Sequence, residues 1–214
     1  MRRRQPLPRL WLMTDERQGE TLWDALEHLP RGAGVIFRHY GLPVEARRRL
    51  FLAVRGVARR RRLILVVAGP LPLRGDGNHG RRGHGLRTAP AHDLKQIRAA
   101  ERGGADLVFL SPVFPTRSHP GRPALGRVRF GLLARQCRVP VIALGGVTPR
   151  LADGLKALGA FGWAAIDAWG AGAGPCRDAI RSGRRFRCRR PGCHAVDRSP
   201  APGDRAGTCT GRRR

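Results

Sequence analysis

Short apolar runs alternate with amphipathic stretches along residues 10–169. The runs are apolar at successive positions, which is typical of strands that are buried on both faces of a sheet. The predicted strands are Leu10–Thr14, Gly34–Arg38, Leu63–Val67, Asp106–Leu110, Val139–Leu144 and Trp163–Ile166. The predicted helices are Thr21–Leu29, Val44–Arg60, Leu94–Gly103, Val128–Gln136 and Arg150–Leu158. This alternation predicts an α/β fold in which helices cover a parallel sheet.

The glycine-rich region Leu73–Arg87 interrupts the alternation. A TIM (β/α)8 barrel needs a fourth strand near Asp76–His79 and a fifth near Leu86–Ala89, and the gap between them is too short for a normal helix. Glycines also weaken a strand. We therefore predict a barrel with a shortened fourth βα unit, and a flexible Gly/Arg-rich loop remains the alternative for this region.

The composition changes abruptly after the last predicted strand. Residues 170–214 contain few large apolar side chains and 12 arginines. Such a segment cannot bury enough apolar area to offset the entropy of ordering, so we expect a disordered basic tail after a barrel domain of residues 10–169. A coding-frame error is a second explanation of the tail.

The tail also contains four possible zinc ligands, which are Cys188, Cys193, His194 and Cys209. They include one closely spaced pair, whereas zinc ribbons use two such pairs, which disfavours a zinc site.

The net charge of +27 raises the question of a nucleic-acid partner. The arginines are spread along the chain, and the one dense run, Arg59–Arg62, lies where a predicted helix ends and cations stabilise its dipole. A solvated basic surface is therefore favoured over nucleic-acid binding.

No apolar run is long enough for a membrane span, and Leu10–Met13 is too short for a signal-peptide core, so we expect a cytoplasmic protein.

Candidate chemistry follows two of the predicted strands. The segment Ser111–His119 turns directly out of a buried strand, and in a barrel the loops after the strands form the active site. The Thr116 and Ser118 hydroxyls could bind a phosphate, with positive charge from Arg117 and His119. A proline-stiffened turn with solvated polar groups is the alternative.

Two further glycines follow the strand Val139–Leu144. Gly145 and Gly146 would let the backbone approach a ligand closely, and main-chain N–H groups in such a loop bind phosphate well. A tight turn alone would also require glycine at these positions.

The stretch Ala105–His119 closely resembles the signature of the thiamine phosphate synthase/TenI family, in which PVFPT follows a buried strand. Leu10–Asp15 resembles the first strand of that family, His92 the histidine of its Ser-x-His motif before a helix, and Val139–Val147 its Gly-Gly strand and loop. The resemblance covers residues 10–169. It implies a TIM barrel that binds small phosphorylated thiamine precursors.

The resemblance also implies a reaction. The family joins hydroxymethylpyrimidine pyrophosphate to thiazole phosphate, with Mg2+ and basic residues stabilising the departing pyrophosphate. The resemblance implies that Arg38 and His119 act as catalytic charge stabilisers. The implied substrate-binding residues are Thr116, Arg117, Ser118, Gly145, Gly146 and Ile166.

Several family positions carry other residues here. The Asn-Asp pair after the third strand, whose Asp binds Mg2+, is Ala68-Gly69, and no second acidic ligand occurs near Arg82–His84. The phosphate-side Ser at the end of the eighth strand is Asp167. Mg2+ is therefore expected from the family, but its ligands are missing and no metal-binding residue is assigned.

Three other functions stay open beside the synthase. A TenI-type thiazole tautomerase needs neither metal nor pyrophosphate, although its histidine position holds Pro112, which leaves His119 or His39 to move the proton. The others are a non-catalytic barrel that binds a phosphorylated metabolite and a basic nucleic-acid-binding protein.

Overall fold

Eight parallel strands close into a barrel in the order in which they occur along the chain. The protein is described by a computed structural model that covers residues 6–116, 121 and 123–169. β8 pairs with β1, with Trp163 opposite Leu10, so the sheet has no free edge. The strands are β1 (Leu10–Met13), β2 (Gly34–Phe37), β3 (Ile64–Ala68), β4 (Gly77–His79), β5 (Leu86–Ala91), β6 (Leu107–Leu110), β7 (Val141–Leu144) and β8 (Ala160–Ala165).

The TIM-barrel prediction is confirmed, and the observed strands lie close to the predicted ones. The largest shift is at β8, which begins at Ala160 instead of Trp163. Two of its first three residues, Ala160 and Gly162, are small, so this part lacks the run of large apolar residues that marks most of the other strands. At Gly162 a side chain would lie 2.0 Å from the Arg9 carbonyl oxygen, so the small residue allows the main chains to pack closely.

Helices follow β1, β2, β5, β6 and β7 within the described residues. A 3-10 helix (Glu16–Gln18) also lies between β1 and α1. The α-helices are α1 (Thr21–His28), α2 (Val44–Arg61), α3 (Leu94–Arg102), α4 (Gly126–Gln136) and α5 (Pro149–Lys156). None of the helices in the described ranges is long and apolar enough to cross a lipid bilayer.

The connections on both sides of β4 are short loops. The fourth unit is shortened, as predicted, and the third also lacks a helix, since residues 69–76 lead directly from β3 to β4. Hydrogen bonds tie both loops to the sheet. In the loop before β4, the Asp76 carboxylate accepts a hydrogen bond from the Leu65 N–H of β3 at 2.8 Å. In the loop after β4, the His84 carbonyl accepts one from the Asn78 side-chain amide at 2.8 Å. Because β4 pairs with both neighbours, the flexible-loop alternative is wrong.

Because no helix follows β3 or β4 in the described ranges, a groove remains on the outside of the barrel. A cavity of about 390 Å³ lies between α3 and the loop after β4, lined among others by Arg81, Arg82, Arg87 and Ala99.

The barrel interior is filled by large side chains. Trp11 packs against Gly34, where a Cβ atom would lie 2.1 Å from the indole ring. The Trp11 and Phe109 rings meet edge to face with centroids 5.1 Å apart. The interior is therefore a packed core, and in such barrels the chemistry lies at the carboxyl ends of the strands.

Candidate functional site

The carboxyl ends of the strands meet at one rim of the barrel, where several polar side chains collect. Side chains alternate along a strand, so Arg38 points the same way as Ile36, which lies in the interior cluster. The same alternation places Ile166 two residues beyond Ala164 on β8. The rim therefore brings together residues that are far apart in sequence.

One part of the rim, which we call the first corner, is formed by the ends of β1 and β2. Thr14 is fully buried, and its hydroxyl accepts a hydrogen bond from the Arg38 N–H at 2.9 Å. The same hydroxyl is hydrogen-bonded to His39 Nδ1 at 3.0 Å. The Arg38 guanidinium donates to Asp15 through Nη2 at 3.2 Å. This network holds Arg38 in place at the rim.

The charges of this corner influence one another. Burial is the largest influence on Asp15 and acts to raise its pKa, but hydrogen bonds and charge from Arg17, with a further contribution from Arg38, lower it overall. Burial lowers the pKa of His39, which favours a neutral imidazole. The corner therefore combines an ionised carboxylate, a neutral histidine and a guanidinium.

Arg47 reaches the rim from helix α2. Its side chain is buried, and it donates to the Arg38 carbonyl through Nε at 3.0 Å and to the Ala68 carbonyl through Nη2 at 2.6 Å. Its guanidinium also lies over the rings of Phe37 and Tyr40, 5.6 Å from each centroid. Arg47 thus links the ends of β2 and β3. The sequence did not single it out, since it lies in a helix with many arginines.

His79 lies at the end of β4 inside the barrel. Its Nδ1 is hydrogen-bonded to the Thr88 hydroxyl at 2.9 Å, and its ring meets Phe109 edge to face at 5.3 Å. Burial, with a smaller contribution from the positive charge of Arg38, lowers the pKa of His79 to about 4. The imidazole is therefore neutral at neutral pH. This residue was also missed, because it lies in the glycine-rich region.

His92 follows β5 and contacts the neighbouring strand end. Its Nδ1 donates to the Ser111 carbonyl at 2.6 Å, and its main-chain N–H donates to the Gln96 side chain at 3.0 Å. These bonds fix the His92 ring between β5 and β6.

The loops after β6 and β7 pack tightly against each other. The Val113 and Phe114 N–H groups donate to the Leu144 and Gly145 carbonyls at 2.9 and 3.0 Å. Gly145 and Gly146 have φ values of +93° and +62°. A side chain at Gly146 would lie 2.5 Å from the Pro115 carbonyl oxygen. Both glycines are therefore needed for the turn and for the contact between the loops.

The structure places only some of the predicted site residues. Arg38, Gly145, Gly146 and Ile166 lie at strand ends of the same rim, and Thr116 lies in the loop after β6, directly before residues 117–120, which the structure does not describe. The Ile166 carbonyl accepts a hydrogen bond from the Gln18 side chain at 2.8 Å, and Asp167 beside it is exposed. Other predictions lie outside the described residues. They are those on Arg117, Ser118, His119 and the tail 170–214, including its cysteines.

Known proteins match this barrel over most of its length. The family model described as "Thiamine monophosphate synthase" matches residues 88–169. The "Putative thiamine-phosphate synthase 2" of Aquifex aeolicus is 30% identical over 179 residues, which cover 75% of this chain and 96% of that protein. This chain belongs to the thiamine monophosphate synthase family.

Another relative matches over a shorter stretch, and a solved structure matches most of the barrel. The thiamine-phosphate synthase of Salinispora tropica is 40% identical over 86 residues, which cover 40% of this chain and 41% of that protein. The solved structure "Thiamine phosphate pyrophosphorylase from Pyrococcus furiosus" has a TM-score of 0.62 at 22% identity and covers 78% of this chain and 89% of that one. That likeness shows the fold.

The rim does not fit the Mg2+ that the family uses. Ala68 and Gly69 stand where the resemblance places Asn-Asp, and neither offers a side-chain oxygen. A larger residue at position 69 would also lack space, since its Cβ would lie 3.0 Å from the Tyr40 ring and 3.2 Å from Arg47 Nη2. The described residues contain no group of three acidic, histidine or cysteine side chains arranged around a metal position. Mg2+ prefers carboxylate oxygens. At the end of β3 the Arg47 guanidinium lies beside Gly69, and the Asp15 carboxylate at the neighbouring strand end is already paired with Arg17 and Arg38.

Proposed function

We propose that this chain is a thiamine phosphate synthase-like transferase that joins hydroxymethylpyrimidine pyrophosphate to thiazole phosphate at the rim of the barrel. The observation that carries the proposal is the placement of the family's partly retained residues on two sides of that rim. Arg38 lies at the end of β2, whereas Gly145 and Gly146 lie in the loop after β7. Two separate sites for anionic groups are what a reaction between two phosphorylated substrates requires.

Arg38 is proposed to stabilise the departing pyrophosphate. In the reaction the C–O bond to pyrophosphate breaks with its electron pair, a carbocation-like pyrimidine forms, and the thiazole nitrogen attacks that carbon. A preorganised guanidinium stabilises the negative charge that develops on the leaving group. Arg38 fits this role because Thr14 and Asp15 hold it at the rim. His119 is proposed as the second charge stabiliser.

The opposite side of the rim is proposed to bind the thiazole phosphate. Main-chain N–H groups near Gly145 and Gly146 suit a phosphate, because a loop before a helix presents donors and a positive dipole end. Helix α5 begins at Pro149, directly after this loop. The remaining proposed contacts are Thr116, Arg117, Ser118 and Ile166.

Synthase activity is tested by incubating the full chain with both precursors and measuring pyrophosphate and coupled product. The Arg38→Gln variant should lower kcat/KM by about 10²–10³, the usual effect of removing one charge-stabilising donor. Arg48→Gln is the matched control, because Arg48 lies on the outer face of α2 and pairs with Glu45. It should leave the rate unchanged.

Other outcomes identify the alternatives. Conversion of the thiazole carboxylate phosphate without the pyrimidine substrate would indicate a tautomerase. Thermal stabilisation by thiazole phosphate without any turnover would indicate a binding protein. Either result would contradict the synthase proposal.

A further inference from the structure

We propose that three arginines, Arg38, Arg47 and Arg81, take the place of the magnesium ion at this rim and bind a pyrophosphate group without a metal. We call them the arginine cluster. The inference rests on the proposed function, because it specifies how the pyrophosphate side of that site works. A metal-binding side chain at position 69 would need the space beside Gly69, which the Arg47 guanidinium fills.

Arg47 supplies a fixed positive charge at this position. Its two hydrogen bonds go to the main-chain oxygens of Arg38 and Ala68, so among the described residues no hydrogen-bonded carboxylate neutralises it. A buried charge is costly unless it is paired. The Glu16 carboxylate acts on Arg47 without a hydrogen bond to it, and an anionic ligand at the rim would supply a directly bound negative charge.

Arg38 and Arg81 each carry a donor that lacks a partner. The Nε atoms of both side chains are buried, and neither makes a hydrogen bond to the described part of the protein. Buried donors are nearly always hydrogen-bonded in folded proteins, so these two Nε atoms are open to an acceptor from a ligand or from water. Arg61 Nε also makes no hydrogen bond, but it lies 3.5 Å from the Glu27 carboxylate. Arg38 Nη2 is used by Asp15, whereas its Nε stays available.

The Arg38 and Arg47 side chains lie in one region of the rim, and Arg81 approaches that region from the loop after β4, where it also lines the outer groove beside α3. Arg38 and Arg47 both lie over the Tyr40 ring, with centroid distances of 6.0 and 5.6 Å. Arg81 donates to the Leu71 carbonyl at 3.3 Å, in the loop that begins at Gly69. Burial is the main cause of the lowered pKa of Arg47; Tyr40 and the Glu16 carboxylate oppose the change, and the charge of Arg81 adds to it. The charges of Arg47 and Arg81 therefore act on each other.

Guanidinium groups suit the chemistry that the metal performs elsewhere. Their planar forks bind two phosphate oxygens at once, and the charge of arginine does not depend on pH in the physiological range. When the C–O bond breaks, the electron pair and the negative charge go to the pyrophosphate oxygens, which the arginine cluster would stabilise. The step needs no proton, oxidant or additional reactant.

The test is calorimetric binding of inorganic pyrophosphate to the full chain, with a chelator or with Mg2+. We expect binding with the chelator present and no gain in affinity from Mg2+. Arg38→Gln and Arg81→Gln should each weaken binding about tenfold or more, as expected for loss of a charge-assisted hydrogen bond. The control Arg48→Gln should bind as the wild type does, and thermal unfolding would show that the variants are folded.

Two outcomes would overturn the inference: binding that requires Mg2+, or wild-type affinity in the Arg38→Gln and Arg81→Gln variants. Assaying the same preparations with both precursors separates this inference from the proposed function. Product that forms only with Mg2+ would refute the arginine cluster and leave the synthase proposal standing. Chelator-resistant pyrophosphate binding without any product would support the cluster and contradict the synthase proposal.

Discussion

Acidification should destabilise this protein through His79, which lies inside the barrel between Thr88 and Phe109. Burial, with a smaller contribution from Arg38, lowers the pKa of His79 to about 4, compared with an ordinary value of 6.5. The unfolded chain therefore takes up a proton at this residue before the folded protein does. The free energy of unfolding is highest above about pH 6.5 and decreases as the pH falls towards about 4.

The size of the effect follows from the gap between the two pKa values. One pKa unit corresponds to about 1.4 kcal/mol, so His79 alone should account for about 3 kcal/mol between neutral pH and about pH 4. That is a large fraction of the stability of an ordinary domain, which is about 5–15 kcal/mol. The conversion applies here because His79 lies in the interior, where solvent screens its charge little.

Urea denaturation at several pH values would measure this contribution, with His79→Asn as the matched control. The asparagine amide can still reach the Thr88 hydroxyl but does not titrate. Its smaller volume lowers stability by an amount that does not depend on pH. The wild type should lose about 3 kcal/mol more than the variant on acidification. Parallel pH profiles of the two proteins would refute the reasoning.

The remaining predictions concern the loops after β7 and β8. Gly146→Ala should cost about 2–4 kcal/mol in urea denaturation, from left-handed backbone strain and from the clash with the Pro115 carbonyl. Gly126→Ala, at a similar φ of +68° but with open space around the Cβ position, should cost only the strain, and an equal cost for both would contradict the packing argument. Asp167→Ser should tighten thiazole phosphate binding by up to about 1 kcal/mol, the scale of exposed charge interactions, as measured by calorimetry. Asp153→Ser on α5 is its control, and unchanged affinity in Asp167→Ser would place the phosphate elsewhere.

Most of the barrel could be predicted because its strands are buried on both faces. A strand such as β3 must be apolar at successive positions, which distinguishes it from the amphipathic helices around it. β4 is different, since Gly77-Asn78-His79 has no apolar pattern. It becomes a strand because β3 and β5 supply hydrogen-bonding partners on both sides.

The candidate site was predicted in part for the same reason. Arg38 and Ile166 end predicted strands, Gly145 and Gly146 directly follow another, and the ends of parallel strands meet at one rim. Arg47 could not be found in this way, because nothing in the pattern of helix α2 shows which of its arginines turns inwards.

The sequence by itself determined the parallel α/β barrel and which strand ends would form its rim, because hydrophobic burial leaves a periodic pattern along the chain. The tertiary structure decided which polar side chains lose water and which charges act on one another. Arg47 beside Gly69 and His79 beside Thr88 are the examples. Desolvation and Coulomb interactions depend on distances between residues that are remote in sequence, so only the folded chain fixes them.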